Sequence, residues 1–556
     1  MIFNSYLFIL IYLPVCVAGW FLINRVSHRA ADWYLVAMGI WFYGCFGLPY
    51  LAVLGVSSLF NYVLGRVLQG GAMPVPSGER ADGQETTGGR GRRRVLLAFG
   101  VTMNLLFLGW FKYLTPELSA LAESGRAELS AGMIRLISIG LPVGLSFYSF
   151  SLISYLIESY QGRLRPESLR EYLLYVTYFP KMIQGPITCY EEVAAQFRRP
   201  SARQFQKEGF ARGLSLFVLG LAKKLLIADV LAAPADFGLQ SAYYLDTLSV
   251  LVTMSCYAMQ LYMDFSGYCD MAMGVSRMLN IDLPLNFDAP FQAESFPEFW
   301  KRWHMTLTRF FTGYVYIPLG GSRRGTAQTC RNVMLVFLLS AFWHGLGGTY
   351  LVWGALSGAF VAAENLCRRR VSRKEAGAKP LQKEAEPLQE EAEPLQAGHL
   401  DARPVTACER KERTEGKKGR LTTVLHRAKV YFLFLFTLVF FGSADLEHSR
   451  AVLRRFLVPA YPGWLYRMAA KLDVPELWLL NKLVSAAAPG LANVVLLVEL
   501  FGVLALALFL VNAGRTAVQL SETMELSPRN AMLIGALLVL CLCSVSGVST
   551  YLYFQF

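Results

Sequence analysis

Long apolar segments constrain this chain more than any other feature of its sequence. The hydrocarbon core of a bilayer is about 30 Å thick, and a helix needs about 20 apolar residues to cross it. With 54% hydrophobic and only 17% charged residues, the chain has a composition far from that of an average soluble domain. We therefore expect an all-α, polytopic membrane protein. The apolar segments lie near residues 4–24, 33–48, 50–65, 95–113, 133–157, 171–188, 210–230, 246–274, 308–320, 331–346, 349–367, 428–442, 492–512 and 530–550.

The net charge of +13 does not point to a nucleic-acid partner. The positive residues form short clusters beside apolar segments, where the positive-inside rule expects them. We therefore expect the lipid bilayer, and not nucleic acid, to be the partner of the basic residues. The cysteines are scattered and show no metal-ligand spacing, so no metal is expected.

Two hydrophilic loops suggest the topology and the division of the chain. Residues 66–94 are rich in Gly and Arg, and residues 368–427 combine an E-P-L-Q repeat with charged sequence typical of a disordered linker. Their basic clusters place both loops in the cytoplasm. The expected divisions are a core over 1–367, the loop over 368–427, and C-terminal transmembrane helices over 428–556.

The same rule orients the two ends of the chain. Met1 to Ile23 has no basic n-region and is followed by basic residues, so we expect a retained helix whose N-terminus lies outside. Residues 443–491 carry amphipathic pieces and are expected to lie along the outer interface. Counting spans from there places the C-terminus on the exported side as well.

Several spans are interrupted by proline and glycine. Pro142 and Gly144 break one segment, and Pro180 with Gly185 and Pro186 breaks another. Non-helical backbone at membrane depth is tolerated only where protein or a water-filled cavity satisfies it. These breaks therefore predict re-entrant pieces around a buried chamber.

Residues 296–311, F-P-E-F-W-K-R-W-H-M-T-L-T-R-F-F, hold the densest group of ionisable residues between apolar segments. Such groups are costly at membrane depth and usually face an interior site. An interfacial helix with snorkelling cations and an aromatic belt explains the pattern equally well. The candidates for lining a substrate channel in this stretch are Trp300, Lys301, Arg302 and Trp303, and elsewhere in the sequence they are Asp264 and Trp343.

A second candidate site is residues 338–354, L-L-S-A-F-W-H-G-L-G-G-T-Y-L-V-W-G, where His344 follows Trp343 in an uncharged span. A histidine here is either a hydrogen-bonded core residue or a base that activates a hydroxyl or thiol. The three glycines that follow allow a substrate chain or other backbone to approach closely.

Asp264 is a third intramembrane candidate, in M-Q-L-Y-M-D-F-S-G-Y. It needs a partner, for which Arg277, Lys301 and Arg302 are available, and the pair is either structural or catalytic. Residues 221–229, L-A-K-K-L-L-I-A-D, place further charges at an expected membrane boundary, where they would contact lipid phosphates or an anionic ligand.

Motifs for nucleotide hydrolysis, zinc peptidases and serine hydrolases are absent from the sequence. An enzyme with these histidines would most simply move a pre-activated acyl group from a thioester to a hydroxyl. That reaction requires a general base and a polar site for the developing oxyanion.

The motifs W-K-R-W-H-M-T-L-T-R-F-F and F-W-H-G resemble those of the membrane-bound O-acyltransferase (MBOAT) family. The similarity includes L-P-V-G-L-S-F-Y-S-F, F-P-K-M-I-Q-G-P-I and N-I-D-L-P-L-N-F-D-A-P-F, and it covers nearly all of 1–370. It is strongest to the bacterial branch of alginate O-acetylation, peptidoglycan O-acetylation and D-alanyl transfer to teichoic acid. This resemblance implies a ring of helices around a thin central channel, with His344 as the catalytic histidine and His304 as the second histidine.

The resemblance also implies a donor and its route. The donor would be acetyl-CoA or another acyl thioester, with no permanently bound cofactor, and an acyl carrier protein could deliver it instead. The acyl group would cross near His344, while His304 would orient or stabilise the thioester carbonyl. The protein would lie in the plasma or inner membrane of a bacterium.

The terminal sequence Y-L-Y-F-Q-F resembles a C-terminal motif of alginate-type members, whose central tyrosine is proposed to carry the acyl group. By position this tyrosine is Tyr553, which would pass the group to an extracytoplasmic SGNH-type acetyltransferase acting on a polysaccharide. An aromatic plug at the interface is the alternative interpretation. For the whole chain, the alternatives are D-alanyl transfer, a transporter and a non-catalytic scaffold.

Overall fold

A computed structural model of the chain describes residues 1–70, 87–126, 129–164, 167–377, 419–459, 462–472, 474, 477–545 and 551. Within those ranges every regular element is a helix. Five helices are long and apolar enough to cross a membrane: Leu7–Asn24, Leu48–Gln69, Gly91–Glu123, Leu421–Phe441 and Pro489–Asn512. The expectation of an all-α membrane protein is confirmed.

The first helices are delimited by local signals. Ser27 caps α2 by accepting the N–H of Ala30, and the glycine turn at Gly47 (φ 133°) precedes α3, which has Pro49 in its first turn. A π-helical turn, Leu7–Tyr12, opens this region, and another, Trp110–Leu114, joins α4 to α5. The helices are α1 (Leu13–Asn24), α2 (His28–Gly44), α3 (Leu48–Gln69), α4 (Thr87–Gly109), α5 (Thr115–Glu123), α6 (Ala131–Ile137) and α7 (Leu145–Tyr160).

The predicted breaks lie at both expected places. Gly144 precedes α7 with φ 77°, and a Cβ there would lie 2.6 Å from the carbonyl oxygen of Met182. Only glycine allows this left-handed turn and close approach. Pro180 lies in the first turn of a four-residue helix, after which the chain is non-helical until Tyr190. The helices here are α8 (Leu169–Val176), α9 (Phe179–Met182) and α10 (Tyr190–Phe197).

A pair of closely packed helices forms the centre of the fold. A Cβ on Gly220 would lie 2.6 Å from the Gly267 carbonyl oxygen, and one on Gly274 would lie 2.6 Å from that of Gly213. Small residues thus bring the two backbones together, as is common between membrane helices. The helices are α11 (Lys207–Ala222), which continues through a π-helical turn (Lys223–Ala228) into α12 (Asp229–Gln240), and α13 (Thr247–Met278).

The remaining helices include those that carry both histidines. They are α14 (Phe296–Arg302), α15 (Met305–Phe311), the π-helical turn Thr312–Tyr316, α16 (Thr326–His344), α17 (Gly348–Gly377), α18 (Arg420–Phe441), α19 (Leu446–Arg455), α20 (Pro462–Ala469), α21 (Trp478–Ala487), α22 (Pro489–Asn512), α23 (Ala517–Thr523) and α24 (Pro528–Cys543). Short 3-10 turns occur at Pro200–Arg203, Ala242–Tyr244 and Pro290–Gln292. Helices α17 and α18 both extend into the range predicted as loop, 368–427.

Helix ends that flank the two predicted loops are joined by polar contacts. Arg93, in α4, donates to the carbonyl of Tyr160 at 2.8 Å. Arg66, near the end of α3, donates to the carbonyl of Glu167 at 3.4 Å. Arg369, in α17, donates to Thr326 at the start of α16. We call the side of the protein that carries Arg66, Arg93 and Arg369 the loop face.

Candidate active site

His344 ends α16 inside a shell of aromatic rings. Its side chain is buried, and its ring centroid lies 5.3 Å from Trp353 and 5.0 Å from Phe441 at the end of α18. The helix stops here because the chain turns into G-L-G-G before α17, with Gly345 fully extended at φ 178°. His344 therefore lies at the end of α16 remote from the loop face.

Two side chains from the π-helical turn after α4 bind the carbonyls at this helix end. Lys112 Nζ donates to the Trp343 carbonyl, and the Tyr113 hydroxyl donates to the Phe342 carbonyl. The ammonium group of Lys112 also lies 5.3 Å from the centre of the Trp343 ring. The sequence analysis did not select Lys112, although a lysine inside the apolar segment 95–113 is a signal of the same kind as Asp264.

His304 occupies a strained turn at the start of α15. Its backbone has φ 47° and ψ 52°, a left-handed conformation that is uncommon for residues other than glycine. Its side chain is buried, and its Nδ1 lies 3.1 Å from Oδ1 of Asn286. The ring packs edge-on against Phe265 of α13 at 4.8 Å.

Trp343 is the common neighbour of the two histidines. Its ring centroid lies 4.7 Å from that of His344 and 6.3 Å from that of His304. Phe147, near the start of α7, packs against Trp343 at 5.8 Å and against His304 at 6.3 Å. The structure thus brings together, around one indole ring, two histidines that are far apart in sequence.

The other candidates of residues 296–311 separate into two groups. Trp300 packs against Trp353 at 5.8 Å, and Trp303 packs against Phe287 at 5.2 Å, so both rings belong to the aromatic shell around the histidines. Lys301 is exposed, and Arg302 forms a 2.7 Å ion pair with Glu298 on its own helix. The tryptophans lie beside the site, whereas these two cations lie on the surface of α14.

Asp264 has a different partner from those expected. Lys224 Nζ lies 2.6 Å from its carboxylate, and both side chains are only 2% exposed. Asp229 also pairs with Lys224, at 2.8 Å. Neither Arg277, which pairs with Glu522 of the α23 region, nor the cations of α14 fills this role. Lys224 is thus buried and paired with carboxylates, which leaves almost no surface for the expected contact with lipid phosphates.

Tyr553 lies outside the described residues, but Tyr551 is among them. Tyr551 is fully buried, its ring 5.0 Å from Tyr268 of α13 and 4.6 Å from Lys224 Nζ. Tyr268 lies three residues, about one helical turn, after Phe265, which contacts His304. The chain therefore enters the interior two residues before Tyr553.

Among the described residues, no group of three or more His, Cys, Asp or Glu is placed to hold a metal ion. The titratable groups close to Trp343 include two imidazoles and the ammonium group of Lys112. Imidazole accepts and returns a proton near neutral pH. The arrangement is therefore suited to moving a proton within an apolar shell.

Comparison with known proteins identifies relatives of this chain. The sequence profile of the membrane-bound O-acyltransferase family matches residues 87–380, which include both histidines. A peptidoglycan O-acetyltransferase of Helicobacter pylori is 34% identical over 64% of this chain and 69% of its own length. A probable alginate O-acetylase of Pseudomonas aeruginosa is 36% identical over 66% of each chain.

A more distant relative is a teichoic acid D-alanyltransferase of Streptococcus thermophilus, 28% identical over 43% of this chain and 61% of its own length. Alignments to the first relatives thus span about two thirds of those proteins, and the D-alanyl relative aligns over less. The expected family and its enzyme class, O-acyltransferase, are confirmed. The chain belongs to the membrane-bound O-acyltransferase family.

Proposed function

We propose that this protein transfers an acyl group, specifically acetyl, from a cytoplasmic thioester to a hydroxyl on the exported side of the membrane. The observation that carries the proposal is the position of His304 and His344 on one shared tryptophan, within an aromatic shell. A buried imidazole is a suitable general base for a hydroxyl nucleophile. Acetyl-CoA or another acyl thioester serves as a substrate, and no cofactor stays bound.

In the proposed reaction the accepting hydroxyl is that of Tyr553. His344 takes the phenolic proton as the oxygen attacks the thioester carbonyl carbon. The carbon–sulfur bond then breaks, an acyl-tyrosine ester forms, and the thiolate leaves and regains a proton. The burial of Tyr551 supports this route, because it brings the chain into the interior of the protein two residues before Tyr553.

Relatives favour acetyl over D-alanyl as the group transferred. The two relatives named for O-acetylation are 34% and 36% identical over about two thirds of this chain. The D-alanyltransferase is 28% identical over 43%. We propose that the final acceptor is a hydroxyl of a cell-surface polysaccharide and that an extracytoplasmic SGNH-type transferase passes the acetyl group to it.

The proposed orientation places the loop face in the cytoplasm of a bacterial cell, in the inner or plasma membrane. Both termini then lie on the exported side, and the basic residues Arg66, Arg93 and Arg369 lie on the cytoplasmic side, as the positive-inside rule requires. A carrier protein, if it replaces CoA, would dock on this face. Labelling of single cysteines introduced at the two loops and at the turn after α2 would test the orientation.

Mass spectrometry of the C-terminal peptide tests the reaction directly. After incubation of the full chain in membranes with acetyl-CoA, we expect the mass of one acetyl group on Tyr553. The variant His344→Ala should show no added acetyl, whereas His426→Ala, a partly exposed histidine of α18, should be acetylated like the unaltered protein. Acetylation that persists in His344→Ala would show that another residue is the base.

The variant Tyr553→Phe separates the enzyme from a transporter or a scaffold. An acyl relay loses its nucleophile with the hydroxyl, so surface O-acetylation should stop. A transporter or a scaffold tolerates the loss of one oxygen atom. Normal O-acetylation in cells that hold equal amounts of the variant would exclude Tyr553 as the carrier.

A further inference from the structure

The side-chain oxygen of Asn286 accepts hydrogen bonds from three donors in the turn that contains His304. Its Oδ1 accepts from the backbone N–H of Thr306 at 3.2 Å, from the Thr306 hydroxyl at 2.9 Å, and from Nδ1 of His304 at 3.1 Å. The backbone carbonyl of Asn286 also accepts from the N–H of Met305 at 2.9 Å. Asn286 itself is fully buried.

These contacts fix which end of the Asn286 amide faces the histidine. A backbone N–H can only donate, so the atom that faces Thr306 N must be the amide oxygen and not the NH₂ group. The NH₂ group then points to Cys269 of α13, whose Sγ lies 3.2 Å away and is a weak acceptor. The orientation of the amide thus follows from the backbone.

The same oxygen fixes the tautomer of His304. In a neutral imidazole one nitrogen carries a proton and the other carries a lone pair. A lone pair on Nδ1 would face the lone pairs of the Asn286 oxygen at 3.1 Å, which is repulsive. Neutral His304 therefore has its proton on Nδ1 and a lone pair on Nε2.

We propose that Asn286 is a positioning residue that holds His304 in the Nδ1–H tautomer, so that His304 offers the reaction a hydrogen-bond acceptor at Nε2. This inference rests on the proposed function for its chemical meaning. A donor at this position would stabilise the negative charge on the thioester carbonyl oxygen, whereas an acceptor can receive the proton that His344 has taken from the attacking hydroxyl. The tautomer selects the second role.

The turn that contains His304 is also hydrogen-bonded to the non-helical segment between α9 and α10. The N–H of Ile187 donates to the Thr306 hydroxyl at 3.1 Å, and that hydroxyl donates in turn to Asn286. The rings packed against His304, from Phe147, Phe265, Phe287 and Trp343, are uncharged. A charge introduced at Asn286 would therefore act on His304 at close range.

Two variants of the full chain in lipid nanodiscs test the proposal. Asn286→Leu removes the acceptor, and we expect kcat for acetyl transfer to fall by roughly 10²-fold or more while KM for acetyl-CoA changes little, because a histidine in the wrong tautomer loses its role. Asn286→Asp keeps an acceptor of the same shape. Its carboxylate favours the doubly protonated ring, so the acid limb of the pH–rate profile should move to higher pH, with activity retained above it.

The matched control is Thr306→Val, which removes one donor to Asn286 but keeps the Thr306 backbone N–H and the bond to His304. It should retain the pH profile of the unaltered protein. The ¹⁵N NMR spectrum of labelled histidine gives a readout independent of activity, with the Nδ1–H signature of His304 expected in the unaltered protein and lost in Asn286→Leu.

Opposite results would overturn the inference. An Nε2–H signature for His304 in the unaltered protein contradicts the tautomer, and a higher rate at neutral pH in Asn286→Asp would show that His304 acts as a donor. An unchanged kcat and spectrum in a folded Asn286→Leu would show that Asn286 positions nothing. If the unaltered protein transfers no acetyl group, the proposed function fails, while the NMR signature still tests the tautomer.

Discussion

At the end of α16, the carbonyls of Phe342 and Trp343 belong to the last helical turn, which has no N–H groups of its own left to pair with. Lys112 and Tyr113, from a distant part of the chain, supply the missing donors. The next residue is His344, so these bonds hold the helix end that carries the proposed base.

Lys112→Met should reduce acetyl transfer more than Tyr113→Phe does. Each variant removes one hydrogen bond to a carbonyl of α16. Only Lys112→Met also removes a positive charge from beside Trp343 and His344. We expect a loss of roughly tenfold or more for Lys112→Met, since a hydrogen bond from a charged group contributes about 1.5–3 kcal/mol. Initial rates in membrane vesicles, normalised to the amount of folded protein, would measure this, and equal rates for the two variants would contradict it.

Among the elements, two internal π-helical turns carry buried or partly buried lysines. Trp110–Leu114 carries Lys112, and Lys223–Ala228 carries Lys223 and Lys224. Such turns insert an extra residue into a helix and occur frequently at functional sites. In the second turn, consecutive lysines pair with two carboxylates of α13, Lys223 with Asp270 and Lys224 with Asp264.

Lys224→Met should destabilise the protein by about 3–5 kcal/mol, because it leaves the buried carboxylate of Asp264 without its cation. Lys223→Met is the matched control. Its lysine is 19% exposed, so water can partly solvate Asp270 after the change, and the loss should be smaller. Thermal unfolding in detergent would rank the two variants, and a larger loss for Lys223→Met would show that burial does not set the cost.

The turn before α7 requires glycine at position 144. Gly144→Ala adds a Cβ both in the left-handed region and 2.6 Å from the Met182 carbonyl oxygen, so we expect a loss of about 1–3 kcal/mol. Gly132→Ala in α6 is the control, because a Cβ there meets no atom within 4 Å. That change should be neutral or slightly stabilising. Equal melting temperatures for the two variants would argue against close contact between the turn before α7 and the backbone at Met182.

For the whole molecule, the all-α membrane fold could be predicted from the sequence and its internal pairings could not. Apolar length and the breaks at Pro142 and Pro180 indicated the helices, because burial in lipid imposes both on the local sequence. The partner of Asp264 was predicted wrongly, since the choice of Lys224 depends on how α11, α12 and α13 cross. The role of Asn286 in holding His304 was missed for a similar reason, because it depends on a turn with a left-handed residue.

Replacement of residues 378–418 by a flexible linker of about 20 Gly and Ser residues should leave acetyl transfer from acetyl-CoA within about twofold. The residues that form the site lie in helices outside this range, and α17 and α18 would still be joined. The same assay with an acyl carrier protein as donor is the comparison. Loss of activity with acetyl-CoA would show that residues 378–418 take part in binding the donor.

The left-handed backbone at His304 also limits what natural variation or a mutant library can place there. Asparagine, aspartate and histidine enter this conformation several times more often than other side chains, and glycine enters it freely. Valine and isoleucine are the residues that it excludes most strongly. A saturation library at position 304, sorted first for folded protein and then for O-acetylation, should return this small set from the first sort. The second sort should retain only those members whose side chain can still accept a proton. The backbone conformation at position 304 therefore restricts the choice of residue before the requirement for catalysis does.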